Sequence, residues 1–201
     1  MTLFDRILLL LTGLVALYLI WQFFMRYQKQ KALHDIYYIL GFAVLLVSGL
    51  LLIFLGWDIL ASPYVLTVAS LIPLGISLGI ANQFYKGWKK AYAWFALIGF
   101  LAIALTSIGG IPLKKIAVPV FHGVAGLVIF LGPFLAKTPK GFWWVGVGGA
   151  LIGVGGIALA FLAAGSQLLF FSQSVVLMIL APLLLLMTAA FAWGFSQDFK
   201  S

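Results

Sequence analysis

One pattern recurs along nearly the whole chain: a run of about twenty apolar residues, then a short polar gap in which the charges collect. The runs cover residues 7–24, 36–54, 65–84, 91–109, 116–136, 142–164 and 175–195. Each is long enough to cross the hydrocarbon layer as a helix, and in lipid every backbone amide must be satisfied within its own segment or a closed barrel. Of the 201 residues, 65% are hydrophobic and 8% charged, whereas a soluble domain carries about a quarter charged residues. No water-soluble fold hides that much apolar surface. The expectation is therefore an all-α, multi-pass transmembrane helical bundle with seven spans, forming a single integral membrane domain over residues 1–201. The gaps are short, so consecutive helices should be antiparallel neighbours.

The basic residues set an orientation. Alternate gaps and the tail hold Arg26, Lys29, Lys31, Lys86, Lys89, Lys90, Lys137, Lys140 and Lys200, against Arg6, Lys114 and Lys115 on the other side. By the positive-inside rule the N-terminus lies outside and the C-terminus in the cytoplasm of a plasma membrane. Trp21, Trp88, Trp143, Trp144 and Trp193 fall close to the same inner ends, where indoles anchor among headgroups. The first run has Asp5 beside Arg6, and its YLIWQFF stretch offers no small-residue cleavage site. It reads as a retained helix and not as a signal peptide. The net charge of +8 is dispersed over these gaps, so no contiguous basic face forms and nucleic acid is not an expected partner.

The sixth run, WWVGVGGALIGVGGIALAFLAAG, is unusually rich in glycine. Gly146, Gly149, Gly153 and Gly156 follow one another at intervals of three, four and three, which places them along one side of a helix. Helix association in lipid depends on close backbone contact, so this stripe reads as a packing groove. Gly148 and Gly155 open an adjacent face, and the helix is expected to be central and to touch two neighbours. A leucine at Gly149 or Gly153 should then cripple assembly. A faint repeat accompanies it: ALIGFLAIAL (96–105) and ALIGVGGIAL (150–159) differ at three positions, and YILGFAVLLV (38–47) aligns with both through its glycine. Together with Pro73 and Pro182 in the third and seventh runs, this suggests three helical hairpins after the first helix.

Polar residues within the runs are few. Cysteine is absent, which excludes disulfides, thiolate metal sites, iron–sulfur clusters and a cysteine nucleophile. Asp5, Arg6, Asp35 and Asp198 fall at run ends, where water is expected to reach them. His34 and His122 differ in depth by roughly 20 Å at 1.5 Å per residue, too far for one haem iron. The last run has no lysine, so retinal attachment is excluded. No carboxylate lies at the midplane, which argues against a proton- or sodium-driven pump. Asp58, Ser70 and His122 fall at a similar outer depth and are the candidate outer-side polar site. His122 could also ligand the magnesium of a chlorophyll, or simply hydrogen-bond a neighbouring helix. The stretch GSQLLFFSQS is mildly amphipathic, with Phe170 and Phe171 expected in the headgroup layer.

These features favour a non-catalytic integral membrane protein, a subunit or small-residue-packed structural component of a membrane assembly. Its partners would be the lipid bilayer and other membrane proteins or further copies of itself. No catalytic residue, metal or cofactor is expected. The alternative is a passive carrier or channel for a small neutral solute or lipid. A third class is a pigment-binding protein or an intramembrane enzyme using the outer-side polar site.

Overall fold

The computed structural model describes residues 1–163 and 173–200, and every regular element among them is helical. The α-helices are α1 (Leu3–Gln30), α2 (Leu33–Leu55), α3 (Pro63–Ala69), α4 (Leu71–Phe84), α5 (Lys89–Ile108), α6 (Lys114–Leu135), α7 (Trp143–Ala163) and α8 (Gln173–Asp198). A short 3-10 turn, Trp57–Ala61, joins α2 to α3. Helices α1, α2, α5, α6, α8 and the α3–α4 pair are six segments long and apolar enough to cross a membrane. The glycine-rich α7 is shorter in its described apolar part, Trp143–Gly156. The amphipathic stretch holding Phe170 and Phe171 lies outside the described residues.

The third apolar run is not one helix but two. Pro73 has no N–H to give the carbonyl of Ala69, and its ring crowds that carbonyl, so regular hydrogen bonding lapses where α3 ends. Ser70 bridges the break. Its amide turns to Leu66 and Thr67, and its hydroxyl donates to the Thr67 carbonyl at 2.6 Å. Thr67 in turn donates to the carbonyl of Pro63 at 2.8 Å. Both hydroxyls thus bond back to carbonyls of the preceding turn, so neither is left unpaired in hydrocarbon.

Packing closes a ring in the order α1, α2, α4, α6, α7, α8 and back to α1. Helix α5 sits outside it, against α3, α4 and α6, held by a small cluster of Leu74, Ala96 and Ala125. Side chains, and no helix, fill the axis of the ring: Phe23, Tyr38, Phe42, Ile76, Ile80, Ile129, Phe142, Phe191 and Phe195 form one buried cluster. Phe23 stacks on Tyr38 with centroids 4.7 Å apart and meets Phe195 edge-on at 5.0 Å. Such offset and edge-to-face pairs each add about 0.5–1.5 kcal/mol beyond area burial.

Glycines set the closest approaches. A Cβ on Gly75 would stand 2.9 Å from the amide nitrogen of Gly41, so α2 and α4 cross backbone to backbone. On α7, a Cβ at Gly149 would meet the Phe130 nitrogen at 2.6 Å, and one at Gly146 the Phe130 carbonyl at 2.7 Å. The adjacent face of α7 seats α8: Gly148 lies under the Phe191 ring and Gly155 under Leu183. The expected groove is therefore real at Gly146 and Gly149. Gly153 and Gly156 meet nothing within 4 Å among the described residues. Helix α7 does touch two neighbours, yet as one member of the ring and not as its centre. The three aligned glycines also differ in surroundings: Gly41 seats α4 and Gly99 seats the Phe121 ring, while Gly153 is open.

Candidate functional site

The ends of α1, α2, α4 and α8 converge on a cluster of charges inside the bundle. Arg26, in the last turns of α1, donates from Nε to Asp35 Oδ1 at 2.7 Å, with Nη2 2.6 Å from the same oxygen. Its Nη1 donates to Asp198 Oδ2, near the end of α8. The amide of Gln83, on α4, donates to both oxygens of Asp198 at 3.0 and 2.9 Å. Tyr38 then donates its hydroxyl to Gln83 Oε1 at 2.9 Å. The guanidinium lies over the rings of Phe23 and Phe199, 5.3 and 5.2 Å from their centroids. One cation thus ties three helices, and a glutamine and a tyrosine extend the bond chain to a fourth.

Sequence reasoning places Asp35 and Asp198 at helix ends in contact with water, and the structure corrects this. Asp35 is fully buried and Asp198 is 8% exposed. Asp5 is buried too, in a capping box with Thr2, accepting from its amide and its hydroxyl at 2.8 Å each. Burying a carboxylate is costly unless a cation and hydrogen bonds replace its water. Arg26 supplies both, and a planar guanidinium can serve two carboxylates at once. Charge in the cluster is not balanced by Arg26 alone: two carboxylates face it, and His34 Nε2 lies 3.7 Å from Asp35 Oδ1. Asp35 Oδ2 is buried without a hydrogen-bond partner among the described residues.

The three residues of the expected outer-side site fall on separate elements. Asp58 is exposed on the 3-10 turn, and Ser70 is buried at the α3–α4 break with its hydroxyl committed to Thr67. His122 lies in α6, with its Nδ1 buried and without a hydrogen-bond partner among the described residues. No hydrogen bond or ion pair joins any two of the three among the described residues. No group of three metal-ligating side chains is found among the described residues either.

At the opposite end of the bundle, an open groove of about 720 Å³ runs between the starts of α1 and α8. Thr2, Asp5, Trp57, Leu177, Met178 and Pro182 contribute to its lining. Buried Leu9, Leu52 and Ala181 pack nearby, with Trp57 against them.

Six long apolar segments, a side-chain-filled axis and one internal charge cluster fit the class of helical integral membrane proteins. Compared with known family models, curated proteins and solved structures, the chain matches none.

Proposed function

We propose that this protein is a non-catalytic integral component of a cytoplasmic membrane, a rigid helical scaffold that joins other membrane proteins or copies of itself. The carrying observation is the closed interior. Phe23, Tyr38, Phe42, Phe191 and Phe195 fill the axis, and the Arg26–Asp35–Asp198 cluster fastens the helices around it. A filled axis favours a structural part over a conduit, and the Arg26 guanidinium is engaged by Asp35 and Asp198. In this reading α7 completes a seventh span, the lysine-rich end faces the cytoplasm and the N-terminus lies outside. Purification in mild detergent followed by mass spectrometry tests it. Stoichiometric membrane-protein partners, or a defined oligomer, are the expected result. A monomer free of partners, in a preparation that makes liposomes leaky to a particular solute, would overturn it.

That second outcome belongs to a passive carrier, a reading favoured by the groove reaching Pro182 from the end opposite the charge cluster. In a carrier, the Arg26 cluster would be the closed gate and the groove the open vestibule. A pigment site or an enzyme built on Asp58, Ser70 and His122 has less behind it, because the Ser70 hydroxyl is already engaged. An absorption spectrum of the purified protein tests the pigment.

A further inference from the structure

We propose that the adjoining turns before α5 and before α7 form a binding site for the phosphate of an anionic lipid headgroup. Lys86 lies in the first turn with Lys89 and Lys90 opening α5 directly after it, Lys137 and Lys140 lie in the second turn, and all five are exposed. Two contacts hold the turns side by side. The Tyr85 hydroxyl donates to the Gly132 carbonyl at 2.8 Å, and the Phe84 ring packs on Phe142 with centroids 5.0 Å apart. A tyrosine phenol keeps its proton at neutral pH, so Tyr85 is a donor there.

No acidic side chain pairs with the five charges among the described residues. The chain has four acidic residues. Asp35 and Asp198 are turned inward onto Arg26, and Asp5 and Asp58 sit at the opposite end by Trp57. None of the five lysines takes part in an ion pair among the described residues. Helix α5 also begins at this place without a side-chain cap, so its first amides add to the positive field.

The aromatic residues decide which anion. Trp88, just before α5, is 77% exposed, and Trp143, which opens α7, is 43% exposed. Exposed indoles at helix ends settle among headgroups, which sets these lysines level with lipid phosphates. A soluble polyanion would have to reach past that layer. Elsewhere at the same end the basic residues are partly engaged: Arg26 is internal, and Lys31 bonds Gln28 and lies 5.2 Å from the Tyr27 ring centroid. The two groups of lysines differ in place: Lys29 and Lys31 lie at the close of α1 and Lys200 follows α8.

This proposal rests on the membrane reading of the helices. The test uses the full chain in nanodiscs of phosphatidylcholine doped with phosphatidylglycerol of the same acyl chains, with retained lipid read by native mass spectrometry. The expected result is preferential retention of phosphatidylglycerol. The variant K86Q/K89Q/K137Q should lower that preference at least tenfold, given roughly fivefold per lysine at an anionic surface. K86R/K89R/K137R should keep the preference, and K29Q/K31Q/K200Q should lower it clearly less than K86Q/K89Q/K137Q does. Equal losses from the two glutamine variants would overturn the site in favour of diffuse charge. Displacement of the lipid by soluble glycerol phosphate at matched concentration would overturn the lipid as ligand. A wild-type protein that enters the nanodiscs yet shows no preference would overturn the site alone. One that does not enter them would overturn the membrane reading and the site with it.

Discussion

Arg26 carries more of the structure than any other polar side chain, and its neighbours show why. Removing it leaves Asp35 and Asp198 facing each other through apolar surroundings with their cation gone. Breaking a buried pair in this way costs about 3–5 kcal/mol, whereas removing all its charges can be nearly neutral. Arg26→Met should therefore lower the thermal unfolding midpoint in detergent sharply, and R26M/D35N/D198N should recover most of the loss. A triple variant no better than the single one would mean that the guanidinium acts by packing on Phe23 and Phe199. Tyr38→Phe, which removes one hydrogen bond to Gln83, should cost about 1 kcal/mol in the same assay. None of this cluster was legible one residue at a time. Arg26 counts equally well as a topology charge, and an aspartate near a helix end is normally solvated. The available signal was scarcity: two of only four acids fall at the basic end, each within a few residues of a helix terminus.

At the scale of the helix, spacing in the sequence foretold which face of α7 would pack but not how far along it. Gly146 and Gly149 lie against Phe130, while Gly153 and Gly156, on the same stripe, meet nothing within 4 Å among the described residues. A three-and-four pattern names a face. Only the crossing geometry of two helices says where contact ends. The expectation that Gly149→Leu and Gly153→Leu are equivalent is thus revised. Gly149→Leu forces side-chain atoms into the Phe130 backbone and should cost more than the roughly 1–3 kcal/mol of ordinary overpacking. Gly153→Leu should leave expression and the unfolding midpoint near wild type. Size-exclusion profiles and thermal melts of the two variants make the comparison. The break in the third apolar run was half visible: Pro73 marked a disturbance, but a bend and a full interruption look alike in sequence. At the break the hydroxyls of Thr67 and Ser70 turn back onto carbonyls of the preceding turn.

For the molecule as a whole, the apolar runs made the helices legible, and the ring that joins α8 back to α1 was not. Closure depends on pairs far apart in the chain, such as Arg26 with Asp198, and no local pattern reports them. The ring does collect the basic gaps at one end: the close of α1, α4 and α8 and the start of α2 meet at the Arg26 cluster, and Phe84 on Phe142 brings the start of α7 beside them. The 3-10 turn and the start of α1 share the groove at the other end. This arrangement makes a definite forecast for labelling in sealed vesicles, where the absence of native cysteine gives a clean background. Lys86→Cys and Lys140→Cys, both exposed, should react with an impermeant maleimide from one side of the membrane, and Lys115→Cys and Ala61→Cys from the other. The positive-inside rule further predicts that the first pair is cytoplasmic. Mixed labelling within either pair would break the ring's two-ended geometry. Clean labelling with the sides reversed would keep the geometry and overturn only the orientation, leaving the lysine-rich turns on the outer leaflet.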